Sequence, residues 1–112
     1  MALTVTTGSA SIGTTEYWLA SASTVKTDQT DDAMHQDWID FGAMAAGDVY
    51  EWRVVEKVNA GTQRDVLVGR VVGTQASPII IPGFFFAEGW EIGVKKISGT
   101  DRTIAWSIRK AS

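Results

Sequence analysis

The chain has no cysteine among its 112 residues. That absence excludes disulfides, thiolate metal sites and a cysteine nucleophile together. A small domain without a covalent staple must gain stability from packing, or from association with copies of itself or a larger body. Basic clusters are missing as well. Lysine and arginine number 10 against 13 acidic residues, the net charge is −3, and Lys95-Lys96 and Arg109-Lys110 are the adjacent basic pairs. A nucleic-acid binder usually shows a basic face, so no nucleic-acid partner is expected. No apolar run approaches the roughly 18 residues of a membrane span, so no membrane partner is expected. The segment Met1 to Thr6 lacks the basic start and apolar centre of a signal peptide. The expectation is a protein made and kept in a cytosol, or built into something assembled there.

Catalytic patterns are also lacking. The glycines form neither G-x-G-x-x-G nor a P-loop, and no serine stands in a G-x-S-x-G elbow. His35 is the single histidine. With Asp37 and a serine it offers the residue types of a triad, but a triad is defined by geometry, and His35 reads as an ordinary strand or loop histidine. Asp28, Asp31, Asp32, Asp37 and Asp40 cluster without the alternating spacing of a calcium loop, so they read as a solvated acidic loop. The expectation is a protein that is not an enzyme, with no cofactor and no metal.

What is present is apolar alternation. Hydrophobic residues make up 45% of the chain and charged residues 21%, an ordinary globular balance. The length suits one domain, residues 1–112, able to bury roughly two-thirds of its unfolded surface. Five tryptophans sit on short alternating runs. In Thr103 to Arg109, Ile104, Trp106 and Ile108 point one way and Thr103, Ala105, Ser107 and Arg109 the other, the period of a half-buried strand. Further strands are predicted over Glu16–Ala20, Met34–Phe41, Asp48–Val58, Gln63–Val72, Ile79–Ile81, Phe84–Phe86 and Trp90–Ile97, with another at Thr4–Thr7. Residues 48–72 read as a hairpin through Asn59-Ala60-Gly61, and Trp90 to Lys110 as a second through Ser98 to Asp101. Ser21 to Ala33 reads as a loop, and 41–48 has room for one helical turn. Periodicity does not decide which face of 34–41 is inside. About eight short strands predict an all-β fold, an antiparallel β-sandwich of jelly-roll-like form.

Trp52, Trp90 and Trp106 share parity with other apolar residues and are expected in the core. Trp18 and Trp38 are less determined; were they exposed, they would suit a carbohydrate-binding platform. The segment Pro78 to Trp90 is apolar on both parities: Ile79 and Ile81 against Ile80, Phe84 and Phe86 against Phe85. Either the domain buries both sides or one face meets a partner. Two-sided burial is hard to arrange in so small a domain, so a subunit or partner contact is favoured. Leu3-Thr4-Val5-Thr6 has two open placements, an extended arm within residues 1–8 or the first strand of the sandwich.

Several stretches carry a resemblance: Trp38 to Phe41, Ala45 to Glu51, Val55 to Val58, Gly89 to Glu91, and Lys95 to Lys110. Gly99-Thr100-Asp101-Arg102 followed by Trp106-Ser107-Ile108-Arg109 is the most specific. With these, the chain resembles small proteins encoded in tailed-bacteriophage and prophage genomes, from about Thr4 to its end. The resemblance implies a virion structural protein. At this size it implies a head decoration (cement) protein that binds the outer capsid surface and stabilises the shell. Its partners would be the major capsid protein and copies of itself, with a trimer the natural oligomer. It supplies no catalytic residues. The contact residues expected are Leu3, Val5, Ile79, Ile80, Ile81, Phe84, Phe85 and Phe86. The alternatives are a tail or neck component, or a carbohydrate-binding module built on Trp18 and Trp38.

Overall fold

Alternation becomes burial in the computed structural model, which describes residues 2–111 apart from the side chains of Phe84 and Phe85. Ile104, Trp106 and Ile108 are buried, whereas Thr103 is exposed and Ala105 and Ser107 are half-buried. Eight strands form: β1 (Leu3–Ile12), β2 (Tyr17–Trp18), β3 (Ala33–Asp40), β4 (Val49–Glu56), β5 (Arg64–Val72), β6 (Ile79–Phe86), β7 (Glu91–Ser98) and β8 (Arg102–Ala111). They make two antiparallel four-stranded sheets, β1-β8-β3-β6 (sheet I) and β2-β7-β4-β5 (sheet II). The architecture is an all-β, antiparallel β-sandwich.

The connections differ from the sequence reading. β4 and β5 do form the hairpin expected within residues 48–72. The second hairpin does not form: β7 lies in sheet II and β8 in sheet I, so Ser98 to Asp101 crosses the sandwich. A short turn looks the same in sequence whether it folds a strand back beside its neighbour or carries it to the opposite sheet. The stretch 41–48 holds two turns rather than a helical one, closed by Met44 N–H to Phe41 O (3.0 Å) and Asp48 N–H to Ala45 O (3.1 Å). Leu3 to Ile12 pairs with β8 over its whole length, from Leu3↔Ala111 to Ile12↔Arg102, and is therefore the first strand of the sandwich.

The core between the sheets contains Ile39, Phe41, Tyr50, Val54, Trp90, Ile92, Val94 and Ile104, each 0–1% exposed. Three tryptophans face glycine across a strand pair: Trp106 opposite Gly8, Trp52 opposite Gly69 and Trp18 opposite Gly93. A Cβ at any of the three glycines would collide with the opposing ring. The missing side chain makes room for an indole to lie over the neighbouring backbone, so two strands are covered by one residue. Trp106 and Trp90 are in the core as expected; Trp52 packs against it and remains half-buried over the edge strand β5.

The crossing turn is fixed by polar contacts. Asp48 is 2% exposed and accepts from Ala45 N–H (2.9 Å), Thr100 N–H (2.9 Å) and Arg102 Nε (2.7 Å). Those donors hold its carboxyl down at about 2, below the usual 3.8. Tyr50 Oη donates to Ile12 O (2.7 Å) and accepts from Arg102 N–H (2.8 Å). Gly99, at φ +95°, lies against Asp48 with no room for a Cβ.

Two outcomes are expected. Gly8→Ala drives a methyl into the Trp106 ring and lowers unfolding stability by about 1–3 kcal/mol in a denaturant titration, the usual cost of overpacking. Because the Asp48 carboxyl is depressed, its contribution is complete above about pH 4 and is lost as pH falls towards 2. Asp48→Asn is therefore less stable than the parent at neutral pH, and the gap closes between pH 4 and 2 in paired thermal melts; a gap that stays constant with pH contradicts this.

Candidate interaction surface

The outer faces of the two sheets are chemically unlike. On sheet II, charges are paired, beside Val68 and Val72 of β5, which are 48% and 67% exposed. Arg53 Nε donates to Glu16 Oε2 (2.9 Å), and its Nη1 reaches Asp65 (2.8 Å). The Glu16 hydrogen bonds push the Arg53 guanidinium above its usual range, so it stays charged. Glu51 meets Arg70 at 3.1 Å and Lys95 at 3.8 Å. Trp18 lies beneath this network, 7% exposed, with Lys26 Nζ and the Arg53 guanidinium each 5.1 Å from its ring.

Sheet I presents apolar side chains with few charges among them. The register sets Leu3 and Val5 of β1, Met34 and Trp38 of β3 and Ile80 of β6 on the face opposite Ile104, Trp106 and Ile108. Leu3 is 66% exposed, Val5 50%, Ile80 45% and Met34 40%. Thr7, Ser9, Ser11, Thr103 and Ser107 fill much of the remaining face with small hydroxyls. The Arg109 guanidinium stacks on Trp38 at 4.0 Å from the ring centroid, its Nε donating to Ser107 Oγ (3.2 Å). Two depressions flank this stack. One, of about 360 Å³, is bordered by Leu3, Met34, Gln36, Gly83, Arg109 and Ala111. The other, of about 230 Å³, is bordered by Trp38, Asp40, Pro78, Ala105, Ser107 and Arg109.

The contact residues expected from sequence therefore divide. Leu3, Val5 and Ile80 come together on the outer face of sheet I. Ile81 (1% exposed) and Phe86 (2%) point into the core, and Ile79 packs against it, so these three fill the domain's own interior rather than a partner contact. The cause is the pairing of β6 with β3: Ile80 opposes outward Trp38, whereas Ile81 opposes buried Asp37. The side chains of Phe84 and Phe85 lie outside the described residues. Arg109 was not among the expected contacts; its only signal was a charged residue on the outward parity of β8. Its partnership with Trp38 depends on β3 pairing with β8.

The titratable residues are dispersed. His35 and Asp37, each 1% exposed, meet at 3.2 Å on the inner face of sheet I. The His35 ring packs edge-on to Phe86 and Trp90, both at 4.5 Å. Its Nε2 and Asp37 Oδ2 have no hydrogen-bond partner among the described residues. Among the described residues, no hydroxyl stands within hydrogen-bond reach of Nε2. Asp28 faces Lys26 and Lys57, Asp31 faces Lys110 at 2.7 Å, and Asp40 accepts from Gly42 N–H. Asp37 thus departs from the expected solvated loop, and no group of three or more metal-ligating side chains gathers among the described residues. Glu91 is 0% exposed and accepts from Ala20 N–H, Ser21 N–H, Ser21 Oγ and Ile92 N–H. Burial pushes its carboxyl up, and its contacts tether the start of the long loop after β2.

Trp18 and Trp38 do not offer a sugar platform of free rings, because each is covered by a cation. Titration with mono- and oligosaccharides is expected to leave the tryptophan emission unchanged; saturable quenching contradicts that.

No family model matches the chain, and no curated protein matches it. Among solved structures, the crystal structure of Yersinia pseudotuberculosis-derived mitogen (YPM) is similar at a TM-score of 0.47 and 13% identity, covering 98% of this chain and 85% of that one.

Proposed function

We propose that this chain is a structural protein of a phage virion, a head decoration protein that lays the outer face of sheet I on the capsid shell. The observation that carries the reading is that face. It is apolar and poor in charge, with Leu3, Val5, Met34 and Ile80 each 40–66% exposed, while the opposite face mixes ion pairs with the exposed Val68 and Val72 of β5. A soluble domain rarely leaves such a patch without a partner. The molecule measures 38 × 30 Å across its two longer dimensions, enough for the roughly 800 Å² per partner that a stable interface takes.

The strand order β1-β8-β3-β6 over β2-β7-β4-β5 fits a jelly roll, an architecture found in capsid and lectin domains. Architecture alone does not assign a role, so it supports the reading only beside the face and the phage resemblance. The partners in this reading are the major capsid protein and copies of the chain itself, a trimer at threefold positions being the symmetric choice. Repetition over a shell multiplies a modest contact per copy.

The test is cryo-electron microscopy of capsids lacking the protein after mixing with purified chain. Ordered density at symmetric lattice positions is expected. Ile80→Asp, which charges the face while leaving the core intact, is expected to remain folded and leave the shells bare. Density at the neck or tail moves the protein to that part of the virion. Shells left bare by the parent chain overturn the reading.

A further inference from the structure

The surface also indicates what kind of segment it takes. Of the ten lysines and arginines, eight meet a carboxylate; among the described residues Arg64 and Arg109 do not. Arg109 is the unpaired one on the apolar face, and it is held in place. Trp38 supports its guanidinium plane and Ser107 fixes Nε, which leaves the terminal nitrogens to a partner. A stacked, pre-oriented guanidinium loses little freedom when it receives a carboxylate. The two depressions lie to either side of it. Their borders centre near Ala111 and near Ser107 of β8, so they are about four residues, or about 13 Å, apart along the strand.

An extended polypeptide has the matching period. Side chains at i, i+2 and i+4 share one face, and i to i+4 spans about 13 Å. We infer that the outer face of sheet I docks an extended segment of a partner polypeptide carrying an acidic residue, with an apolar residue two positions before it and another two positions after. The acidic side chain meets Arg109, and the apolar side chains enter the depressions by Leu3 and Met34 and by Ala105 and Pro78. This rests on the reading of sheet I as the contact face, and adds the partner's chemistry: an acidic, apolar-flanked strand exposed on the shell.

The experiment is fluorescence anisotropy with a dye-labelled, capped heptapeptide that is otherwise threonine, with leucine second and sixth and glutamate fourth. A second peptide has glutamine in place of glutamate. The parent chain is expected to bind the glutamate peptide about tenfold tighter than the glutamine peptide, as a charge-assisted pair in a partly desolvated setting gives. Arg109→Gln, confirmed folded by circular dichroism, is expected to bind both equally and weakly. That coupling between the two changes is the signature of a direct pair. Absence of binding by the parent at millimolar peptide overturns the inference, as does equal affinity for the two peptides. Capsid decoration that persists while the peptides fail removes this docking rule and leaves the decoration reading standing. Charge-dependent peptide binding by a chain that leaves shells bare does the reverse.

Discussion

Asp48 and Tyr50, two residues apart on one strand, hold together the end of the sandwich where the chain changes sheets. The Asp48 carboxylate gathers the N–H groups of Ala45 and Thr100 and the Arg102 side chain; the Tyr50 hydroxyl bridges Ile12 and Arg102. Among the described residues, β4–β5 is the only consecutive pair joined within a sheet, so elsewhere the sheets are held in relation by the crossings. With no disulfide to fix them, these buried hydrogen bonds set where β8 enters sheet I, and with it the register of β1 and β3 on either side.

That register decides which side chains reach solvent. Once Ile104, Trp106 and Ile108 face inward, Arg109 faces outward, and pairing with β3 brings it to Trp38. The same alternation turns Leu3, Val5, Met34 and Ile80 outward. On sheet II it turns out Arg53, Glu51 and Arg70, which form ion pairs, together with the exposed Val68 and Val72. Such exposed pairs add little stability; their effect is to satisfy the charges of that face within the domain. The two outer faces therefore differ in charge: ion pairs lie among the exposed apolar residues of sheet II, and few charges lie among those of sheet I.

Much of the fold was legible because period 2 is a local property. Ile104, Trp106 and Ile108 of β8, and Trp90, Ile92 and Val94 around β7, are buried as their parity predicts. β3 was not decided, since its inner face includes His35 and Asp37, polar residues that give no apolar signal. The crossing turn at Ser98 to Asp101 was misread for want of any local mark of the sheet to which β8 belongs. Nothing local marked the glycines opposite Trp106, Trp52 and Trp18 as seats for indole rings, because the rings over them come from other strands. The surface was half visible. Leu3 and Val5 were singled out in a possible extended arm, and Ile79, Ile80, Ile81 and Phe86 through the two-sided apolarity of β6; Leu3, Val5 and Ile80 are exposed on sheet I, whereas Ile79, Ile81 and Phe86 pack inward. The Arg109–Trp38 stack depends on a pairing across some seventy positions, about which neither residue's neighbours carry information.

The pairing of β1 with β8 has a kinetic consequence. β8 lies between β1 and β3, yet it follows the other seven described strands in the chain. Until it arrives, β1 and β3 have no common neighbour, and the inner faces of both sheets lack Ile104, Trp106 and Ile108. The β4–β5 hairpin can form early; sheet I has to wait for loop closures spanning nearly the whole chain, which places folding at the slow, millisecond-to-second end for a domain of this size. During synthesis, an unclosed core and free strand edges would be open to other chains.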